Sequence, residues 1–193
     1  MKKITLLLFI FFGFSYSQNL TVESGGTLTI EKTGAVTVSG NFSNSGTVTM
    51  NSDADEFSSI KISGTTSGHV TYNRFVNYAA SGEWDLIGSP VDGLSISDFV
   101  STNTSGTATL ATNGSAYAVG YYDNSTDTWT NYTTETVGGA GNFDIGKGYQ
   151  MGTVSGGTQI LAFTGTISSS DETQSIINNN AANSGSGRRW NLV

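Results

Sequence analysis

The chain has 193 residues with eight basic and 15 acidic side chains, so its net charge is −7 at neutral pH. It has no cysteine and one histidine, which excludes disulfide bonds and metal clusters built on cysteine or on several histidines. The phosphates of a nucleic acid would repel an acidic chain, so the charge also argues against a nucleic-acid partner.

Residues 1–17 have the pattern of a secretory signal peptide. Lys2 and Lys3 precede an apolar run over residues 4–14, and small serines lead to a cleavage site after Ser17. The run is short for a membrane-spanning helix, so we expect no membrane span in the mature chain. Cleavage leaves six basic against 15 acidic residues, a net charge of −9. We therefore expect a secreted or cell-surface protein.

The rest of the chain has the composition of an all-β protein. Threonine and valine, which favour strands, are frequent, and glycine and asparagine supply turns. Almost no segment has the spacing of an amphipathic helix. We predict a short N-terminal β-solenoid or strand ladder over residues 18–68. An antiparallel β-sandwich should follow over residues 69–193, incomplete at its C-terminal end.

The N-terminal prediction is based on a repeated triplet: an apolar residue, then threonine or lysine, then a second apolar residue. The triplets begin at Leu20, Leu28, Val36, Val48, Ile60 and Val70. Alternation along a strand directs the outer residues of each triplet to one side and the middle residue to the other. Such short strands, separated by turn residues at nearly even spacing, indicate stacked coils of a solenoid. A meander of hairpins would give a similar pattern, but the triplets are short for hairpin strands.

Aromatic residues become frequent after residue 68, enough for a sizeable core and a sandwich of roughly seven to nine strands. The clearest hairpin folds about the turn-rich segment Asp123–Asp127. A five-residue turn there pairs Tyr122 with Thr128 and Tyr121 with Trp129.

Two further elements are predicted in this part of the chain. Residues 149–154 and 159–164 flank a glycine-rich turn and should form a second hairpin. Residues 93–100 could hold a short helical turn with Ser95 or Ser97 as its N-cap.

The first hairpin carries candidate carbohydrate-binding residues. Tyr121, Tyr122, Trp129 and Tyr132 offer aromatic rings that can stack on sugars, and alternation should direct about half of them outward. Tyr122 and Tyr132 would form a small platform if both were exposed on one side. Core packing alone explains most of these residues and is the favoured interpretation.

Two acidic turns are candidate Ca²⁺ sites, the only cofactor that the sequence suggests. Asp53, Asp55 and Glu56 cluster in one turn, and Asp123 and Asp127 flank another. Carboxylates are the usual Ca²⁺ ligands, but neither turn has the spacing of an EF-hand loop. A solvated turn is the favoured interpretation of both.

No constellation of catalytic residues is apparent, and we predict that the protein is not an enzyme. The single histidine, His69, could formally belong to a Ser-His-Asp triad. The Gly-x-Ser-x-Gly elbow that would support such a triad is absent from the sequence. Glu83 and Asp85 flank Trp84 on a predicted strand, and we interpret them as a surface pair rather than as the two acids of a glycosidase.

Four motifs recur in an order that resembles a known protein type. They are Trp84–Val91, Gly146–Tyr149, Phe163–Ile167 and Trp190–Val193. This order resembles secreted or cell-surface proteins of Bacteroidota that carry a C-terminal type IX secretion sorting domain. The resemblance implies that the chain is the N-terminal fragment of a longer exported protein, and it supplies no catalytic residues.

The first and last of these motifs share a tryptophan followed by similar residues. We expect Trp84 and Trp190 to occupy equivalent buried strand positions, with Pro90 ending the first of these strands.

The favoured function is a non-enzymatic, adhesin-like module or structural spacer whose partner is an extracellular glycan or a surface protein. The alternative is a carbohydrate-binding module that uses the exposed aromatic residues of the hairpin over residues 117–132.

Overall fold

A computed structural model describes residues 18–79, 82–105, 110–176, 191 and 193. These residues form fourteen strands and one α-helix, α1 (Ile96–Asn103), so the predicted all-β class is confirmed. The strands are β1 (Leu20–Val22), β2 (Thr27–Ile30), β3 (Ala35–Val38), β4 (Phe42–Asn44), β5 (Thr47–Asn51), β6 (Ser59–Ile62), β7 (Thr66–Ser67), β8 (Val70–Phe75), β9 (Asp85–Gly88), β10 (Thr112–Asn113), β11 (Ala116–Asp123), β12 (Thr128–Thr133), β13 (Gly148–Met151) and β14 (Ile160–Gly165).

Strands β1 to β8 pair with one another in parallel. The ladders are β1-β4-β7, β2-β5-β8 and β3-β6, and in each of them the paired residues lie 20 to 24 positions apart along the chain. All six predicted triplets lie within strands of these ladders. Their faces are as expected: Val22, Ile30 and Val38 are buried, whereas Thr29 and Thr37 are exposed.

Two turns between strands of the parallel ladders, those at Gly26 and Gly46, lie directly on each other. A Cβ atom at Gly46 would lie 2.3 Å from the carbonyl oxygen of Gly26 and 2.5 Å from that of Glu23. Real Cβ atoms do not approach backbone oxygens so closely, so glycine is required where one turn covers the previous one.

Strand β8 connects the parallel ladders to the rest of the fold. It pairs in parallel with β5 and antiparallel with β14, where Phe163 lies opposite Tyr72. The predicted second hairpin is therefore wrong, since β14 pairs with β8 while β13 pairs with β9 and β11. Pairing with β8 buries Leu161 and Phe163 completely, which a hairpin with β13 would not provide in this fold.

The remaining strands form an antiparallel sheet in the order β10-β11-β13-β9, with β12 on β11. One face of this sheet is part of the core, where Ile87, Val119, Tyr149 and Met151 are buried. The side chains of Ile87 and Tyr149 lie on this face because the two residues are directly opposite each other in the ladder.

Helix α1 covers the same core. Ser95 is its N-cap, and the Ser95 hydroxyl accepts a hydrogen bond of 3.0 Å from the backbone N–H of Asp98, as predicted for one of the two candidate serines. The ring of Phe99 is fully buried, with its centroid 4.7 Å from that of Phe163 and 5.2 Å from that of Phe143.

The expectation for Trp84 is wrong in part. Trp84 is only partly buried and lies just before β9, because the ladder of β9 begins at Asp85. The Asp85 carboxylate accepts hydrogen bonds of 2.8 and 3.0 Å from the backbone and side-chain N–H groups of Asn77, which fixes the start of the strand. Pro90 follows the end of β9, as expected, and Trp190 lies outside the described residues.

No helix among the described residues is both long and apolar enough to cross a membrane.

Candidate carbohydrate-binding groove

The turn between β11 and β12 sets the positions of the four candidate aromatic residues. Its loop has four residues, since Asp123 lies opposite Thr128 in the ladder. The Asp123 carboxylate accepts hydrogen bonds of 2.8 and 2.6 Å from the backbone N–H and hydroxyl of Ser125, and Asp127 closes the loop with a φ of 59°. Aspartate tolerates this left-handed conformation better than most residues.

The predicted pairing across this hairpin is wrong by one residue. Tyr122 lies opposite Trp129, and Tyr121 lies opposite Thr130. The prediction assumed a five-residue turn, and one residue fewer moves every side chain of one strand to the other face relative to its partner.

The register separates the four aromatic residues into two pairs on opposite faces. Tyr121 and Tyr132 lie on one face, with ring centroids 5.6 Å apart. Tyr122 and Trp129 lie on the other face, with ring centroids 5.3 Å apart. Tyr122 and Tyr132 therefore do not share a platform.

The face of Tyr121 and Tyr132 borders a groove of about 410 Å³, which we call the tyrosine groove. It is defined by the rings of Tyr121, Tyr132 and Tyr149 together with Asp144 and Lys147. Further lining residues are Thr130, Asn131, Thr136, Ala140 and Asn142.

A charged pair stands beside the rings of the tyrosine groove. The Lys147 ammonium lies 3.3 Å from a carboxylate oxygen of Asp144. The same nitrogen lies 5.7 Å from the ring centroid of Tyr121 and 5.6 Å from that of Tyr149, within the range of cation–π attraction. The ammonium is thus positioned by two rings and one carboxylate.

Two phenols of this groove, those of Tyr132 and Tyr149, have raised pKa values that favour the neutral form. Burial raises the pKa of Tyr132 well above its usual range, and the nearby tyrosines and Asp144 raise it further. Burial also raises the pKa of Tyr149, although a hydrogen bond of 3.0 Å from the backbone N–H of Asp144 to the Tyr149 hydroxyl opposes this. Neutral phenols can both donate and accept hydrogen bonds to a polar ligand.

The tyrosine groove continues past Lys147 into a second hollow of about 470 Å³. Tyr121, Asp144 and Lys147 line both spaces, and the second extends to Asp123 at the hairpin turn and to Gln174. Each space falls in the size range of small-molecule sites, roughly 300–1,000 Å³. Apolar ring faces beside a few hydrogen-bonding groups match the chemistry of a sugar, which has apolar C–H faces and a polar edge.

The opposite face is more open. Trp129 is 43% exposed and lies on β12, whose only pairing among the described strands is with β11. Tyr122 lies beside it and donates a hydrogen bond of 2.5 Å from its hydroxyl to the Asp127 carboxylate. The planes of the two rings are tilted by 55° relative to each other.

Four of the five candidate Ca²⁺ carboxylates interact with groups of the protein itself: those of Asp53, Glu56, Asp123 and Asp127. Lys32 forms ion pairs with Asp53 and Glu56, and the second Asp53 oxygen accepts hydrogen bonds from the backbone N–H groups of Asp55 and Glu56. Lys32 accordingly lowers the pKa of Asp53. Within the described ranges, no group of three or more histidine, aspartate or glutamate side chains is arranged to hold a metal ion.

Sequence reasoning missed three residues of the groove: Asp144, Lys147 and Tyr149. The motif Gly146–Tyr149 contains two of them, Lys147 and Tyr149, but by itself this motif indicates only the resemblance. The ladder places Tyr149 beside Ile87 on the core-facing side of the sheet, and this position follows from pairing between distant strands.

Comparison of the chain with protein-family models, with curated proteins and with solved structures finds no match. The groove is therefore assigned from its geometry and chemistry alone.

Proposed function

We propose that this chain is a non-enzymatic, secreted or cell-surface module of adhesin-like type that binds a glycan in the tyrosine groove. The observation that carries the proposal is the pair of rings Tyr121 and Tyr132, 5.6 Å apart, beside the ion pair of Lys147 and Asp144. The rings would stack on the C–H face of a sugar, and the charged pair would bind its hydroxyl groups.

The architecture proposed for this module is a short β-solenoid over residues 18–68 followed by a β-sandwich over residues 69–193. Parallel ladders with an offset of 20 to 24 residues support the solenoid over a meander, in which consecutive strands would pair antiparallel. The antiparallel sheet of β9 to β13, with its apolar core face, supports the sandwich.

Export to the outside of the cell is supported by the sequence. The basic start, the apolar run and the small residues before Ser17 are the parts of a signal peptide. The order of the motifs from Trp84 to Val193 supports a surface protein of Bacteroidota that uses type IX secretion.

The proposal of a non-enzymatic module is based on the positions of the histidine and carboxylate side chains that catalysis of hydrolysis would require. His69 is exposed to solvent just before β8. The carboxylate of Asp85 accepts hydrogen bonds from Asn77. Asp144 of the groove is paired with Lys147 rather than with a second carboxylate. Glycoside cleavage ordinarily needs two carboxyl groups across the scissile bond.

A structural spacer is the second candidate. Its support is the regular stacking of the parallel ladders, in which the turn at Gly46 lies directly on that at Gly26. Stacked repeats extend along one direction, which suits a protein that holds other domains away from a surface.

Binding of the purified protein to a glycan array tests the proposal, with Tyr132→Ala and Trp129→Ala as matched variants on opposite faces of β12. Saturable binding that falls at least about fivefold in Tyr132→Ala but not in Trp129→Ala would support the tyrosine groove, since the stacking of a ring on an aromatic side chain, measured for nucleobases, is worth about 1–3 kcal/mol. Lys147→Ala should weaken binding as well, and circular dichroism would show that each variant is folded. Loss only in Trp129→Ala would move the site to the open face, and absence of any glycan binding would favour the spacer.

A further inference from the structure

Arg74 occupies an unusual position for a charged residue. On β8, Val70 and Tyr72 are buried, and alternation places Arg74 on the same face two residues later. Arg74 is itself partly buried, and burial lowers the pKa of its guanidinium, which nevertheless stays charged at any physiological pH. The positively charged guanidinium of Arg74 therefore lies at the edge of the core.

No carboxylate of the described residues lies within ion-pair distance of this guanidinium. Lys32 and Lys147 each have a carboxylate oxygen within 4 Å, and Lys61 is exposed to solvent. Arg74, by contrast, forms no ion pair, and its guanidinium no hydrogen bond, anywhere in the part of the chain that the structure describes. Partly buried arginines normally use their fork of N–H groups on a carboxylate or on carbonyl oxygens.

The acid whose charge acts on Arg74 forms hydrogen bonds with another residue. The charge of Asp85 acts on Arg74, but both oxygens of this carboxylate accept hydrogen bonds from Asn77. The five N–H donors of Arg74 therefore remain available to a ligand.

The guanidinium lies in a cleft of about 270 Å³ between the parallel ladders and β9, which we call the Arg74 cleft. Its lining residues are Phe57, Tyr72, Arg74, Ile87, Gly88 and Pro90. The Arg74 guanidinium carbon lies 4.2 Å from the ring centroid of Phe57, which stacks on it and keeps 46% of its own surface exposed. The walls are apolar, and the cleft presents one positive charge.

We propose that the Arg74 cleft binds a six-membered ring that bears a carboxylate, a sugar acid of the uronic type. The carboxylate would form two parallel hydrogen bonds with the guanidinium, and the C–H face of the ring would lie against Phe57 and Pro90. The cleft volume is just below the range of about 300–1,000 Å³ for drug-sized ligands, which suits a single ring. This site is separate from the tyrosine groove and adds recognition of an acidic sugar.

Titration with D-glucuronate, followed by NMR at the Arg74 side-chain Nε–Hε signal, tests this proposal. D-glucose serves as the neutral probe and sodium chloride as the ionic-strength control. We expect a saturable shift with glucuronate alone. An equal shift with sodium chloride, or none with glucuronate, would overturn the proposal.

Variants make the test specific. Glucuronate binding, measured by calorimetry, should be abolished in Arg74→Gln and at least about tenfold weaker in Arg74→Lys, which keeps the charge but loses the planar fork. Phe57→Ala, at an exposed position that should tolerate the change, should also weaken binding, whereas Lys61→Gln should not. Binding that persists in Arg74→Gln would place the ligand elsewhere. Glucuronate binding should persist in Tyr132→Ala. A negative result for glycan binding in the tyrosine groove can therefore be distinguished from a negative result for the Arg74 cleft.

Discussion

The side-chain amide of Asn103 acts as a strand partner for Ala162. Asn103 Oδ1 accepts a hydrogen bond of 2.8 Å from the backbone N–H of Ala162, and Asn103 Nδ2 donates one of 2.9 Å to the Ala162 carbonyl oxygen. Asn103 is 2% exposed and ends helix α1, while Ala162 lies in the middle of β14. Two buried backbone groups on the outer side of β14 are thus satisfied by the helix instead of by another strand.

Replacement of Asn103 should destabilise the protein strongly. In Asn103→Ala both backbone groups of Ala162 lose their partner, and we expect the free energy of unfolding to fall by about 2 to 4 kcal/mol. Urea denaturation followed by circular dichroism measures this change. Asn142→Ala, at an exposed position, is the control and should change stability by less than about 0.5 kcal/mol. A similar small effect in Asn103→Ala would mean that water replaces the amide.

The contact between the turns at Gly26 and Gly46 predicts that alanine destabilises the protein at Gly46 but not at Gly138. Gly46→Ala places a methyl group against the carbonyl oxygens of Gly26 and Glu23, and should cost about 1 to 3 kcal/mol. At Gly138, a new Cβ would meet no atom within 4 Å, so Gly138→Ala should be nearly neutral. Thermal unfolding of both variants measures the difference, and equal stability would contradict the stacking of the two turns.

The tyrosine groove predicts a loss of stability at alkaline pH. The pKa values of Tyr132 and Tyr149 are raised in the folded state above the ordinary value of about 10. As the pH rises past that value the unfolded chain releases these protons first, so the free energy of unfolding should fall. Below about pH 10 both states keep the protons, and this contribution is constant.

Urea midpoints on both sides of about pH 10 measure this effect. Tyr132→Phe and Tyr149→Phe each remove one ionising group and should make the decline shallower. Near-ultraviolet absorbance of tyrosinate should show both groups ionising late in the folded protein. Equal slopes in all three proteins would show that the two phenols are accessible to solvent.

The acidic turn after β5 predicts weak or no Ca²⁺ binding by the intact protein. Lys32 lies between Asp53 and Glu56, and a cation would have to displace its ammonium group. Millimolar CaCl₂ should therefore leave the melting temperature unchanged in wild type. Lys32→Ala frees the carboxylates and is the variant most able to respond. A rise in melting temperature with Ca²⁺ in the wild-type protein would restore the turn as a metal site.

Local patterns predicted much of the strand content. The triplets at Leu28 and Val48 identify β2 and β5, because alternation and turn residues act over a few neighbouring positions. The same patterns could not fix the register of the hairpin at Tyr122 and Trp129. Register depended on whether Asp123 belongs to the turn or to the strand, and the ladder pairs Asp123 with Thr128 as the last pair of the strands.

Composition and short-range patterns were enough to predict the all-β class, the short strands of the first part and the aromatic character of the second. Strand pairing could be read only from the folded chain, because pairing depends on contacts between residues far apart in the sequence. Phe163 lies opposite Tyr72, a residue 91 positions earlier in the chain (163 − 72), and its side chain is fully buried there. The tyrosine groove and the Arg74 cleft likewise form where distant segments meet, since each takes residues from several strands and loops.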